Sequence, residues 1–566
     1  MTINTRKTQL AIAIAATSLL AACGGDSDND NNPSNGSEQS ATLPLTRLAT
    51  IPLGAELTGL EVTEEGDAFF NIQHPADSLP DAENKAAIGA WVGANINELP
   101  AGITPITVPD PTSSDAETTR MALGSYQVLG REGYNYRGDL PFGLGHITVL
   151  DKNEASVLQS NDPDFNAWIA DGENSGYLFT AWEDRPGGVS RLALSKTDDG
   201  WTVNGALNVD FSGVNGTMIN CFGSVSPWGT PLTSEENYMA SEVSATAQWN
   251  QAGAGGYPSY NDVKNIQTYL DGTFPNPYDY GYIVELTAPT GTPQPVKHFT
   301  TGRMAHENAI IMPDEKTVYL TSDGGSQGFF KFVADDTQNL SAGTLYAAKV
   351  TQDAGTDNAT TGFDISWIEL GKSDNATIET LIRSFDGLDE NDFVEGDTNY
   401  ISQQQVDDYA AAYVAGGDNS ALDPIAFLET NAVAMAMGAT TEFNKMEGIN
   451  INPAGAASGE VPYMYVAMAD VAGSMADGTG DIAIDANRCG IVYRFDLETD
   501  FNVSRMEPAV VGGPYDGGAT GDKCSVDNIA QPDNLFVMND GRLLIGEDSG
   551  NHVNNMLWLY TPNAAE

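Results

Sequence analysis

Apolar and polar positions along this chain repeat one unit. It is a β-rich run ending in acidic residues, then a turn-rich stretch, then a glycine followed by alternating aromatic and aliphatic side chains. The unit is legible at Tyr177–Asp184 with Gly188–Leu194, at Thr233–Glu236 with Gly281–Leu286, and at Val318–Asp323 with Gly328–Phe332. It returns at Tyr463–Asp470 with Gly490–Phe495 and at Leu543–Asp548 with Met556–Tyr560. Paired short strands recurring in this way predict an all-β fold, a β-propeller, with a further copy expected near Thr344–Leu370 and so about six blades. A β-sandwich of similar strand content is the architectural alternative. From Ile401 to about Met437 the pattern changes to Ala, Gln and Asp with apolar residues at helical spacing, which predicts a helical insertion.

The N-terminal end reads differently. Arg6 and Lys7 precede an apolar run from Leu10 to Leu20, and Ala21 and Ala22 stand directly before Cys23. That order predicts a signal peptide over residues 1–22 with a lipobox, Cys23 being acylated as the new N-terminus. The apolar run is shorter than the roughly 18 residues a membrane span needs. Residues 23–42 are Gly, Ser, Asp, Asn and Gln with few apolar side chains, a flexible tether to one propeller domain over 43–566. With Gly24 after the cysteine, the outer membrane or cell surface is the expected location in preference to the inner membrane.

Charge narrows the partners. The chain carries 78 acidic against 25 basic side chains, a formal net charge of −53. Such a field repels nucleic acid, attracts divalent cations and favours a monomer. Setting aside Cys23, the remaining cysteines are Cys221, Cys489 and Cys524. Cys489 and Cys524 both fall in C-terminal loops and are the expected disulfide, which leaves Cys221 as a free thiol suited to metal ligation.

In a propeller, equivalent strand ends converge. Glu183, Glu235, Glu236, Asp323, Asp470, Glu547 and Asp548 all stand at such ends. Carboxylates crowded together raise one another's pKa and call for cations, and oxygen donors favour Ca²⁺. The five histidines are too scattered for a His-rich zinc site.

Two segments are more specific. Asn220-Cys221 lies ahead of Pro227-Trp228-Gly229-Thr230 and Thr233-Ser234-Glu235-Glu236, and Gly302-Arg303 is followed by His306-Glu307. The first resembles the N-C-x-G-G-x-T-P-W-G-T-W-L-T-C-E-E pattern of the PhoX alkaline phosphatases and the second their G-R-F-x-H-E. Gly188–Arg191, Gly438–Glu447 and Pro532–Leu535 are similar to further motifs of that family in the same order. The resemblance implies a six-bladed propeller whose central site binds iron (Fe³⁺) and calcium and hydrolyses small phosphomonoesters. By matching position, Cys221 would ligate iron, with Glu307 and Asp533 sharing the iron pair. Glu235, Glu236, Asp323 and Glu447 would be the remaining ligands, mostly to Ca²⁺. Glu307 and Lys445 would be the catalytic pair.

The departures are informative. Lys445-Met446-Glu447 stands where the family has Arg-Pro-Glu, so a bidentate fork becomes a point charge. Ser234 replaces a family cysteine, and Arg6-Lys7 is only half of a twin-arginine signal. Two alternatives stay open at this point: hydrolysis of another ester or a lactone, and a non-catalytic, calcium-stabilised binding propeller.

Overall fold

The structure is a computed structural model that describes residues 44–136, 138–140, 142–149, 156–254, 259–416 and 424–562. The expected signal peptide, the lipidation site Cys23 and the whole of the tether lie outside these residues.

Strand pairing within each unit is antiparallel and follows chain order from the centre outward. Blade 1 comprises Glu56–Val62, Ala68–Gln73, Ala87–Val92 and Ser125–Arg131. Blade 2 comprises Pro163–Gly172, Ser175–Trp182, Gly188–Thr197 and Gly200–Asn208. Blade 3 is built from Asn220–Val225, Pro231–Glu235, Ile283–Thr287 and Gln294–His298, and blade 4 from His306–Ile311, Thr317–Ser322, Phe330–Asp336 and Asn339–Gln352. Blade 5 takes Met446–Ile451, Tyr463–Met468, Ile491–Leu497 and Val503–Val511. Blade 6 takes Pro532–Val537, Leu543–Glu547 and Met556–Tyr560, and its fourth strand is Leu45–Thr50 from the other end of the chain, paired from Leu45↔Tyr560 to Thr50↔Met556. The first strands of successive blades touch one another in a closed ring, blade 6 against blade 1 included. The fold is therefore a six-bladed propeller.

Burial explains which parts of the pattern were legible. Blades pack face to face, so a central strand such as Thr317–Ser322 is buried along its whole length and reads as a continuous run. An outer strand such as Gly200–Asn208 alternates between covered and open positions. Between blades 4 and 5 the layer is filled by Tyr319, Phe329, Phe363, Met464, Val466 and Tyr493. Burying one such side chain contributes about 1.5–3 kcal/mol.

The expected further copy at Thr344–Leu370 is corrected. Asn339–Gln352 and Phe363–Asp374 form a long outer hairpin on blade 4, whose last strand also pairs with blade 5 through Phe363↔Met506 and Asp364↔Arg505. The unit missing from the sequence reading is blade 1. Its second strand ends at Gln73-His74, without the acidic close that marks the other copies.

Helices Asn375–Arg383, Gln403–Val414, Pro424–Leu428 and Thr430–Ala436 lie between blades 4 and 5. They pack through Tyr409, Phe427, Leu428 and Val433 on a core shared with blades 3 and 4. Val243–Ala247 and Tyr260–Tyr269 add helices within blade 3.

Candidate metal centre

Each first strand begins beside the axis, and its second residue has the same kind of side chain in five consecutive blades. These residues are Asp164, Cys221, Glu307, Glu447 and Asp533. In blades 2 to 6 the antiparallel register shifts at this point, between Pro163 and Asn166, Cys221 and Gly223, His306 and Ala309, Met446 and Ile449, and Pro532 and Leu535. A bulge bends the strand and re-aims the side chains at and beside it, which here turns the second residue toward the axis. Gly448 makes room for this crowding: a Cβ there would stand 2.6 Å from the Asp533 carbonyl oxygen.

The residue following each second strand supplies another tier: Glu183, Glu236, Asp323 and Asp548 in blades 2, 3, 4 and 6. His74 takes this place in blade 1 and Ala469 in blade 5. His74 Nε2 meets Glu56 at 2.8 Å, and Glu56 with Asp548 brings further carboxylates toward Asp533.

Potential ligand atoms gather in three linked groups, Asp164/Glu183/Cys221, Cys221/Glu236/Glu307 and Glu307/Glu447/Asp533, each within 4.8 Å. Cys221 Sγ is 2.8 Å from Asp164 Oδ2 and 3.1 Å from Glu307 Oε2. Two full charges at such a separation repel by about 5–6 kcal/mol at an effective dielectric near 20. Burial first, then the neighbouring carboxylates, pushes Asp164 up to about 7 and Glu183 and Glu447 up to about 8. The same causes hold Glu236, Glu307 and Asp533 well above the ordinary carboxylate range, and burial followed by Asp164 and Glu307 raises the Cys221 thiol. Asp323 goes the other way: burial would raise it, but Lys445 and its hydrogen-bond donors outweigh that and lower it.

The residues fit bound cations. Asp164 Oδ1, Asp323 Oδ1 and Asp533 Oδ1 are buried and have no hydrogen-bond partner among the described residues. The donors also divide by chemistry. The groups around Cys221 combine a soft thiolate with carboxylates, which suits a transition metal, whereas Glu307/Glu447/Asp533 is all oxygen and suits a hard ion such as Ca²⁺.

Lys445 stands at the edge of this cluster. Its Nζ is 2.6 Å from Asp323 Oδ2 and 3.3 Å from Glu447 Oε1, and its side chain remains 39% exposed. Its φ of 52° is in the left-handed region, a conformation costly for a residue with a Cβ and one that functional sites retain. The Tyr238 hydroxyl also donates to Asp323.

Around Glu307 the sequence motif works as a brace. Arg303 is fully buried and donates to the Pro277, Tyr280 and Leu428 carbonyls, fixing the turn. His306 Nε2 donates to the Gly302 carbonyl at 2.8 Å, and burial lowers the imidazole to about 4, so it is neutral.

Glu235 differs from its expected role. It is the last residue of its strand, one step before Glu236, so strand alternation turns it to the opposite face. There it pairs with Lys297 Nζ at 2.9 Å and accepts from the Met218, Gly281 and Tyr282 N–H groups, which removes it from the ligand set. Glu547 is likewise satisfied by the Ala530 and Met556 N–H groups, Trp558 and His552. Asp470 lies one residue beyond the register and pairs with Arg488 at 3.1 Å. Away from the axis, Cys489 and Cys524 form a disulfide.

Sequence reasoning missed Asp164 and the Glu56–His74 pair. A signal for Asp164 was available: Pro163-Asp164 and Pro532-Asp533 open equivalent strands with the same dipeptide.

The family described as Alkaline phosphatase PhoX matches residues 191–564 of this chain. No curated protein sequence matches it. Among solved structures, Pseudomonas fluorescens PhoX in complex with vanadate, a transition state analogue, is similar at 16% identity over 91% of this chain and 87% of that one, with a TM-score of 0.47. Trypanosoma rangeli sialidase in complex with the inhibitor DANA is similar at 7% identity over 92% of this chain and 60% of that one, TM-score 0.36. The calcium structure of Trichoderma reesei Carbohydrate-Active Enzymes Family AA12 is similar at 10% identity, covering 92% of this chain and all 100% of that one, TM-score 0.32. These likenesses are distant, so the family rests on the sequence match and the architecture on the strand order.

Proposed function

The chain belongs to the PhoX family of alkaline phosphatases and is a phosphomonoester hydrolase, and on that premise we propose that its reaction takes place on an iron and calcium cluster at the propeller axis. The observation that carries this reading is the recurrence of one ligand-type side chain at the second position of five successive first strands, with a lone thiol among the carboxylates. Asp164, Cys221, Glu236 and Glu307 would hold iron, and Glu307, Glu447 and Asp533 calcium, with Asp323 and Glu183 completing the cage. Bound there, the cations supply Lewis acidity toward the phosphoryl oxygens and neutralise the charge of an in-line displacement.

The remaining roles belong to the chain. Lys445, anchored by Asp323 and Glu447 and partly open to solvent, offers its ammonium donors to a phosphoryl oxygen at the mouth of the cluster. Its charge is secure: burial alone would lower its pKa, but Glu447, Asp323 and Glu236 raise it. As a point charge it orients phosphate less strictly than a guanidinium fork. Tyr238, through Asp323, positions Lys445. The inter-blade contacts keep the carboxylates fixed before substrate arrives, which is the preorganisation that electrostatic catalysis needs.

Export and lipid anchoring at Cys23 belong to the same proposal. The charged, apolar and small-residue order before Cys23 supports it, and a Cys489–Cys524 disulfide suits an oxidising compartment. No helix among the described residues is long and apolar enough to cross a membrane. The decisive experiment is metal analysis together with hydrolysis of a chromogenic phosphomonoester, with calcium and after chelation, for the wild type and Cys221→Ser. We expect calcium-dependent turnover at alkaline pH, and loss of both iron and turnover in the variant. Unchanged iron and activity in Cys221→Ser would remove the thiolate ligand from the reading.

A further inference from the structure

Three of the first strands are entered in the same strained way. Ile219, Lys445 and Gln531 each stand two residues ahead of an axial ligand, Cys221, Glu447 and Asp533, and each is left-handed, with φ of 52°, 52° and 45°. A residue with a Cβ keeps that conformation only where its surroundings hold it. Two backbone hydrogen bonds do so. The carbonyl accepts from the residue that follows the same blade's second strand, at 3.0 Å from Glu236, 2.9 Å from Ala469 and 3.3 Å from Asp548. The N–H reaches back to the preceding blade. Ile219 donates to the Asp184 carbonyl at 2.7 Å and Lys445 to the Gly324 carbonyl at 2.9 Å, and these acceptors directly follow the second-tier carboxylates Glu183 and Asp323.

At the seam between blades 5 and 6 that acceptor is exchanged. By register it would be Asp470, which follows Ala469, but Asp470 turns to Arg488 and its carbonyl accepts from Asn444 Nδ2 at 2.7 Å. Gln531 donates instead to the Cys489 carbonyl at 2.8 Å. Cys489 lies in the long connection between Tyr463–Met468 and Ile491–Leu497, outside either strand, so strand pairing does not fix it. Its bond to Cys524 does. Cys524 belongs to the connection from Val511 to Pro532 that runs directly into Asp533, both cysteines are buried, and Ala530 packs on them. The two segments are in tight contact, since a Cβ on Gly490 would stand 2.4 Å from Pro532 Cδ.

We propose that the Cys489–Cys524 bridge positions Asp533 and thereby sets the affinity of the all-oxygen group Glu307, Glu447 and Asp533 for its cation. The inference rests on the calcium assignment above. The thiolate groups lie on blades 2 to 4 and share only Glu307 with this one, so the bridge does not reach them. Loss of a contact that orients a metal ligand typically costs about ten- to hundredfold in affinity.

Two measurements test it. The first compares the wild type with the double variant Cys489→Ser, Cys524→Ser, reading calcium affinity by competition with a chromophoric chelator and iron content by metal analysis. We expect calcium to bind at least about tenfold more weakly to the variant, with iron content unchanged. The second needs no substitution. Coupling between two sites is reciprocal, so calcium should hold the bridge oxidised. In a dithiothreitol redox buffer the bridge takes two electrons and two protons from the dithiol, giving two thiols while the dithiol closes to its own disulfide. Saturating calcium should shift the ratio of bridged to reduced protein about tenfold toward the bridge. Equal calcium affinity in the two proteins, or a ratio indifferent to calcium, overturns the proposal. A folded variant that loses iron and calcium together overturns it too, because the bridge would then hold the whole fold and not one ligand. If the double variant does not fold, the wild-type ratio decides alone. A wild type that binds no calcium rejects the calcium assignment and this inference with it.

Discussion

Replacing Glu307 by Gln should change stability in opposite directions with and without cations. Glu307 is 2% exposed, and its carboxylate lies within 4.8 Å of ligand atoms from Glu447 and Asp533 in one group and from Cys221 and Glu236 in another. In metal-free protein each fully charged carboxylate pair at that distance costs about 3.5 kcal/mol at an effective dielectric of 20. Protonation caps the cost: holding a group of ordinary pKa 4.5 protonated at pH 7.5 costs about 4 kcal/mol. Glu307→Gln removes that cost while keeping shape and hydrogen-bond capacity, so in chelator the variant should be more stable by as much as about 4 kcal/mol. With calcium in excess the balance reverses. An ion at a thousand times its Kd stabilises by about 4 kcal/mol, and losing one ligand at tenfold to hundredfold in affinity forfeits about 1.4–2.8 kcal/mol of it. Urea titrations of the wild type and variant, each in chelator and in millimolar calcium, read both signs from the unfolding midpoints. A variant less stable by the same amount in both conditions would show that Glu307 contributes packing and not charge, and the argument for a cation-filled axis would fail with it.

Three other outcomes follow from the same geometry. Lys445→Arg should raise kcat/KM on phosphomonoesters several-fold by restoring a bidentate donor, and a fall would show a pocket shaped for a point charge. Gly448→Ala forces a Cβ to 2.6 Å from the Asp533 carbonyl, so the inner strands of blades 5 and 6 must separate; a loss of about 1–3 kcal/mol in urea unfolding together with weaker calcium retention is expected. Glu429 is fully buried with Tyr278 donating to it, and burial, only partly offset by Arg303, raises it from 4.5 to about 7. Because the folded state holds the proton more tightly, its contribution is full below about pH 4.5 and is lost as pH rises toward 7, on the order of 3 kcal/mol over that window. Glu429→Gln should flatten that part of the stability–pH profile, and an unchanged slope would assign it to other groups.

Much of the architecture was legible because a propeller repeats. Hairpins ending in carboxylates marked blades 2 to 6, whereas Thr344–Leu370, expected as a further copy, is an outer extension of blade 4. Blade 1 escaped because its second strand closes on Gln73-His74, where a cation replaces the carboxylate that made the other copies recognisable. At the site, Cys221, Glu236, Glu307, Asp323, Glu447 and Asp533 come together, whereas Glu235, adjacent to Glu236, faces Lys297. A linear motif contains both carboxylates of Glu235-Glu236 equally; the last residue of strand register assigns one to backbone amides and the other to the axis. Asp164 was hidden for the converse reason. It occupies the same bulged position as Asp533, but the only sequence feature the two share is a Pro-Asp dipeptide, too short to stand out before the blades are superposed.

The sixth blade takes its fourth strand from the beginning of the fold and its first three from the end. Leu45–Thr50 can pair early only with the two-residue strand Arg120–Met121, and it joins its blade when Met556–Tyr560 has left the ribosome. Long-range closure of this kind slows folding, because the loop entropy is spent before the pairing is gained. Synthesis can therefore finish before blade 6 closes, and removing the hairpin Leu543–Glu547 with Met556–Tyr560 would unfasten both ends of the fold at once.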